Sequence, residues 1–284
     1  MKPTGGFALA EYWSDADNSP VVEITKALKD GTSIEPNTPT EDFADGIAGP
    51  AGKEYTVNIR TAELSAAVHD GLVAAENAQA PLSFRLAGLG TEQIIEDCED
   101  AWNEYYVANV DNDVVELHDR KLGTHAAEIT VNIGFSTGRL STEAISPTLN
   151  LTAHKSVLMF IKSTIAMAAG DLQLLLDDSA ECATPLETLN IPALSAGVWT
   201  RVALLLANPA ALTAIISVGI KLTVDKGAFI LLVDDVRAAA PSWIVKRAIP
   251  THVDQPGAAG RFHSKKITAK AFGVTQADVI TVVP

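Results

Sequence analysis

The chemistry-bearing side chain that clusters along this chain is the carboxylate. Glu96, Asp97, Glu99 and Asp100 fall together, Asp111 and Asp113 form a second group, and Asp177-Asp178 and Asp234-Asp235 close two apolar runs. Carboxylates at such spacing can do three kinds of work. They cap turns by accepting backbone N–H bonds, they contribute to the oxygen-rich shell that Ca²⁺ requires, or they share acid and base roles in glycoside hydrolysis. Turn-capping and solvation rank first, Ca²⁺ second and catalysis last, because oxygen ligands alone specify no reaction.

Other constellations fail on spacing. Lys53 follows Gly52, but Ile47 and Glu54 stand where a phosphate-cradling loop needs Gly and Ser or Thr, and Glu54 would repel phosphate. Gly88-Leu89-Gly90 opens a dinucleotide-like pattern that Gln93 breaks. The histidines 69, 118, 125, 154, 252 and 263 show no i, i+4 pair. His118 and His125 flank Asp119 without a signalled nucleophile, and no Gly-x-Ser-x-Gly elbow is present. Cys98 lies between Asp97 and Glu99, carboxylates that blunt a thiol, and Cys182 is far away in sequence, so two free thiols are expected rather than a disulfide framework or a metal site. A non-enzymatic protein is the expectation.

The chain has 284 residues, 35 acidic against 21 basic, for a net charge of −14. That balance excludes a basic groove for nucleic acid and a surface for anionic lipid. No apolar run is long enough to cross a membrane as a helix, and the first residues lack the apolar core of a secretory leader. With 47% hydrophobic residues the chain can build a core.

The elements needed to position these groups are mostly strands. Lys53–Arg60 alternates polar and apolar, and a strand is predicted again from Pro81 to Ala87. Leu64–Ala80 predicts a helix, or a loop with helical turns, interrupted near Asp70-Gly71. The stretches 35–42 and 45–52 are turn-rich and predict long loops. From about Ile95, short apolar runs separated by turn formers predict strands at 128–133, 156–162, 172–176, 199–205, 215–224 and 229–233. Gly170–Asp178 and Gly227–Asp235 echo one another as Gly turn, apolar strand and Asp pair. The closing strands at 244–249, 265–272 and 278–283, with a turn around Pro256–Gly260, are too few to bury their own core, so they are expected to complete the N-terminal unit. The expected fold class is mostly β: a β-sandwich (jelly roll) plus a smaller β-rich (α+β) unit formed by both termini. The expected boundaries are 1–94, 95–239 as an inserted sandwich, and 240–284.

Residues 96–239 resemble the carbohydrate-binding-module-type jelly roll with a galactose-binding-like sandwich. The resemblance is carried by Glu96–Trp102, Leu149–Ser163, Gly170–Asp178, Gly197–Val202 and Leu231–Arg237. It implies a structural Ca²⁺ shared by a first-strand acid and a last-strand Asp, here Glu96 and Asp235. No other cofactor is implied. It also implies sugar binding on exposed aromatics, for which Trp102, Tyr105, Tyr106 and Trp199 are available, the strand motif around Trp199 suiting core packing better than a platform. The flanking segments Gly52–Arg60, Pro81–Leu86 and 267–283 resemble tail-tube-like virion proteins of tailed phages. That likeness implies a virion structural protein, assembled in the host cytoplasm and self-associating into a ring or tube beside other virion proteins. The alternatives are a capsid decoration or glycan-binding adsorption protein and, last, a glycoside hydrolase.

Overall fold

The structure is a computed structural model that describes residues 7–15, 19–24, 32–37, 53–61, 64–88, 90–116, 119–254, 265–273 and 280–284. The loop predicted at 45–52, most of that at 35–42, the turn at 256–260, and His118 and His263 lie outside these residues. Along the chain come β1 (Phe7–Trp13), β2 (Val22–Ile24), β3 (Ser33–Asn37), β4 (Lys53–Thr61), α1 (Ala66–Ala78) and β5 (Leu82–Gly88). Next are β6 (Gln93–Glu96), β7 (Val110–Glu116), β8 (His125–Val131), β9 (Gly138–Leu149), β10 (Ser156–Ser163), β11 (Leu172–Asp177), β12 (Glu187–Asn190), β13 (Thr200–Leu205), β14 (Ile215–Leu222) and β15 (Phe229–Ala238). The last are β16 (Ser242–Val253), β17 (Lys265–Gly273) and β18 (Ile280–Val283).

The described chain divides into two compact units, one of 1–14, 21–90 and 241–283, the other of 15–20, 91–240 and residue 284. In the first, an antiparallel sheet runs β2-β1-β5-β16-β17-β4-β3, with β18 also pairing β16. The chain leaves this sheet after β5 and re-enters at β16, and the two points are neighbours: Ala87 pairs Ser242, and Gly88 N–H donates to the Pro241 carbonyl at 2.8 Å. One sheet face carries Ala10, Tyr12, Phe84, Leu86 and Val245 in a core shared with Leu64, Val68 and Leu72 on or beside α1. Ser65 starts the helix by accepting the Val68 N–H at 3.2 Å, a side-chain cap for an otherwise orphan donor.

Two expectations are corrected here. α1 runs unbroken through Asp70-Gly71. Gly71 is there for clearance, since a Cβ would stand 2.8 Å from the Tyr12 hydroxyl. Ser33–Asn37 forms a strand where the turn-rich sequence at 35–37 predicts loop; it lies at the end of the sheet order, where Pro36 need not donate to a second neighbour.

The second unit is a β-sandwich. Its larger sheet runs β13-β10-β15-β8-β7, with β6 also pairing β15, and its smaller sheet runs β12-β11-β14-β9. Alternate residues face inward and interdigitate, Val157, Met159 and Ile161 from β10 and Leu231 and Val233 from β15 meeting Leu172, Leu174 and Leu176 from β11 and Val218, Ile220 and Leu222 from β14. Each such side chain, fully buried, contributes about 1.5–3 kcal/mol of transfer free energy. The echoing segments 170–178 and 227–235 supply β11 and β15, each an interior strand of its own sheet.

Candidate functional site

Part of each outer face of the sandwich is covered. Over the smaller sheet lies a 3-10 turn at Ala180–Cys182. Its buried Cys182 donates N–H to the Ser217 hydroxyl at 3.0 Å. Gly219 makes this close layering feasible, because a Cβ there would lie 2.7 Å from Thr142 Cγ2 and 3.3 Å from Cys182 Sγ. Burial pushes the Cys182 thiol up to about 12, so it is no nucleophile at neutral pH. Cys98 is likewise buried, and burial drives its thiol upward before the nearby Asp234 and Glu96 add to the effect.

On the larger sheet Trp199 is buried edge-on to Phe160, centroids 6.5 Å apart at 85°, with the Arg201 guanidinium 4.7 Å over the Phe160 ring. Asp119 accepts from Trp199 Nε1 at 2.7 Å and from Lys162 Nζ at 2.6 Å. Trp102 is wholly inside the core. Neither tryptophan presents a face to a sugar: Trp199 packs in the core, as its strand motif indicates, and Trp102 is corrected as a candidate. Tyr105 is half-buried, and Tyr106 is 73% exposed.

The carboxylate groups separate by role. Asp177 caps its turn, accepting from Asp178 N–H at 2.9 Å and Thr184 N–H at 2.8 Å. Glu99 accepts from Thr124 N–H at 2.8 Å and from His125 Nδ1 at 3.2 Å. Burial acts to raise the Glu99 carboxyl, but these bonds outweigh it and hold it below the usual range. Asp111 and Asp113 are exposed on β7, the end strand of the larger sheet. Asp234 accepts the N–H groups of Lys121 (2.6 Å) and Leu122 (2.8 Å), and burial raises its carboxyl to about 7.

Glu96 and Asp235, the two residues that the resemblance offers for Ca²⁺, have different surroundings. Asp235 is buried between two guanidiniums, Arg201 at 3.3 Å and Arg237, and Arg237 bridges onward to Glu92 at 3.2 Å. Cations already neutralise that carboxylate. Glu96 accepts the Cys98 N–H at 3.0 Å, and the carboxylates acting on it are Asp97, Glu143 and Asp100. Among the described residues no group of three or more His, Cys, Asp or Glu side chains is arranged to hold a metal ion.

Glu96 instead lines an open cavity of about 330 Å³ at the rim of the sandwich, together with Asp97, Asp100 and Glu143. The pairing of β9 explains the opening. Ala144 pairs Ser217 and Leu149 pairs Ile215, so residues 145–148 stand opposite Ile216 alone and the strand bows outward. The bow makes one wall; β6 and the turn after it make the other. Ile94, Ile145, Pro147 and Leu149 supply apolar surface, and no lining residue is basic. Burial raises the Glu96 carboxyl to about 7, opposed by the Cys98 N–H and reinforced by Asp97, Glu143 and Asp100. The Glu143 carboxyl is raised too, by burial first, while it accepts the Asn103 N–H at 2.8 Å. Such a cleft repels anions and offers hydroxyl groups both acceptors and, through half-protonated Glu96, a donor. In the sequence Glu96, Asp97 and Asp100 were visible as a cluster. Glu143 was missed, since nothing local marks it; only the pairing of β9 brings it there.

No known protein family matches the sequence, and no curated protein matches it. Solved structures match over about half of the chain. A family 11 carbohydrate-binding module from Clostridium thermocellum, in complex with a β-1,3-1,4-mixed-linked tetrasaccharide, is 13% identical, with a TM-score of 0.36 over 52% of this chain and 95% of that one. The solution structure of a module of that name gives 0.39 over 55% and 98%, also at 13% identity. A family 29 carbohydrate-binding module complexed with cellulohexaose gives 0.30 at 10% identity over 52% and 90%. The likeness is too loose to match residues.

Proposed function

We propose that this chain is a non-catalytic glycan-binding protein, its sandwich taking a neutral, hydroxyl-rich ligand at the acidic rim cleft and its terminal β-rich unit serving as carrier. The observation that carries the reading is the cleft itself: four carboxylates beside an apolar wall, with no cation among the lining residues. Carboxylates accept hydrogen bonds from vicinal hydroxyls, and an apolar wall suits the C–H face of a pyranose. The net charge of −14 works against anionic glycans at long range.

Titration calorimetry at pH 7 with cellohexaose, mannohexaose and a mixed-linked tetrasaccharide tests this. Binding of one of them, weakened at least tenfold by Glu143→Gln, is the expected result. Heat with none of the three would reject the reading. Reducing ends released over a day's incubation would instead support the glycoside hydrolase, and a calcium-dependent rise in Tm would place a cation in the cleft. Assembly of a phage tail tube is the weaker reading, because the described end strands suit edge-to-edge pairing poorly: β2 has three residues, and β3 carries Glu35 and Pro36.

A further inference from the structure

The two sheets of the sandwich end together on one flank. β12 closes the smaller sheet and β13 the larger. Glu187, the first residue of β12, ties the two: its buried carboxylate accepts the N–H groups of Ala207 (3.2 Å) and Asn208 (2.5 Å), just beyond β13. The opposite ends of the sheets are β7 and β9. Charge divides the same way. Residues 188–224 contain no Asp or Glu, although the sandwich unit holds 22 acidic residues against 9 basic. Arg201 and Lys221 are the only charged residues in that stretch. Arg201 is buried against Asp235 and the Phe160 ring, and Lys221 lies on β14, an interior strand. The exposed side chains of the flank, among them Asn190, Ala193, Ser195, Leu205 and Ala207, are uncharged. Exposed Asp111 and Asp113 stand at the far end, on β7.

β13 presents an open edge on this neutral flank. Its pairing with β10 is regular from Thr200 opposite Ile161 to Leu205 opposite Ser156. Leu206 N–H donates to the Lys155 carbonyl at 2.9 Å. By antiparallel alternation Leu204 and Val202 also bond to β10, and the main-chain groups of Ala203 and Leu205 point away from it. No described strand pairs with β13 on that side. Sheet edges are ordinarily guarded by charge, proline or a bulge. β7 carries its two aspartates, and β9 has its bow and Pro147. β13 has no such guard: its one charged side chain turns in to Asp235, and Leu205 is left 64% exposed.

We propose that β13 is a docking edge for a second copy of this chain, two β13 strands pairing antiparallel about a twofold axis. An antiparallel edge is self-complementary under that symmetry, so both copies are satisfied and the pair closes without propagating into a fibre or tube. Charge selects the occupant. Two sandwich units, each at −13 (22 acidic against 9 basic), repel one another in most orientations, and meeting through the acid-free flanks keeps their carboxylates apart. A basic partner would be drawn to the opposite flank. The contact covers Leu205 and gives the outward main-chain groups of Ala203 and Leu205 partners in place of water. A six-residue strand makes a small interface, which suits a reversible dimer. The proposal does not depend on the glycan-binding reading, since the cleft is built on β9, at the other end of the smaller sheet.

Sedimentation velocity on the full chain from about 1 to 200 μM, the range in which a micromolar dimer dissociates, tests this. The expected result is a concentration-dependent shift from the 29.9 kDa monomer to a dimer, strengthened by added salt because screening relieves the repulsion. Leu205→Glu places a guard charge on the edge at an exposed position and should weaken the dimer at least about tenfold. Ala203→Pro removes an outward N–H and no bond to β10, and should do the same. Ile133→Glu, at an 83% exposed apolar residue just beyond β8, should leave the dimer within about twofold. Circular dichroism confirms the fold of each variant. A dimer indifferent to both β13 substitutions, or one that weakens with salt, overturns the proposal. A chain that stays monomeric at the highest concentration overturns it too and leaves the edge to a strand from another protein.

Discussion

At the scale of residues, burial rather than residue type sets the chemistry of the carboxylates. Glu96 and Asp235 differ by one methylene. Asp235 sits between Arg201 and Arg237, whereas Glu96 faces Asp97, Asp100 and Glu143 and rises to about 7. A folded-state value above the ordinary carboxyl range means the fold prefers the protonated form. Its contribution is complete below about pH 4.5, is lost as pH rises toward 7, and is flat beyond. Glu96→Gln, which keeps an oxygen for the Cys98 N–H, should therefore stabilise the protein by about 1–2 kcal/mol at pH 8 and by almost nothing at pH 4. Urea unfolding at the two pH values measures this, and an equal effect at both would contradict the assignment. Asp234, also raised to about 7, adds a pH slope of the same sign. Arg201→Ala leaves Asp235 buried with half its compensation and should cost about 3–5 kcal/mol. A loss below 1 kcal/mol would show that water or Arg237 alone suffices.

At the scale of elements, two close approaches shape the units. α1 passes the Tyr12 hydroxyl with room only for a glycine. Gly71→Ala should raise helix propensity by about 1 kcal/mol yet lower stability in the wild-type chain through the clash. In a Tyr12→Phe background the same change should become neutral or favourable, which a double-mutant cycle by thermal unfolding reads directly. The unbroken helix shows why a Gly in an apolar-periodic run is a poor stop signal: tertiary packing of Leu72 and Val68 outweighs the propensity loss. β9 carries the opposite lesson. Its polar, proline-containing stretch was not among the predicted strands, and its bow makes the cleft.

At the scale of the whole molecule, charge and topology divide along the same line. Residues 15–20 and 91–240 hold 22 of the 35 acidic residues and 9 of the 21 basic ones, so nearly all the net negative charge belongs to the sandwich unit. The chain leaves and re-enters the terminal sheet at adjacent points, Ala87 beside Ser242. Residues 91–240, with a core of their own, should fold as an isolated fragment with a single cooperative transition and near-ultraviolet signals from Trp102 and Trp199. A fragment lacking fixed aromatic signals would show that the sandwich depends on the rest of the chain.

Much of the strand framework was legible because period-two and continuous apolar runs state their own burial: β4, β5, β10, β11, β13 and β15 all begin within a residue of where the pattern puts them. The absence of clustered basic residues and the cluster at 96–100 were equally open to reading, since composition and local spacing are properties of the chain alone. What tertiary structure decided was partnership. Whether an Asp meets an arginine or another acid, whether a tryptophan is platform or core, and whether Glu143 joins a cleft depend on strand register, and register is a long-range property that no local window of residues contains.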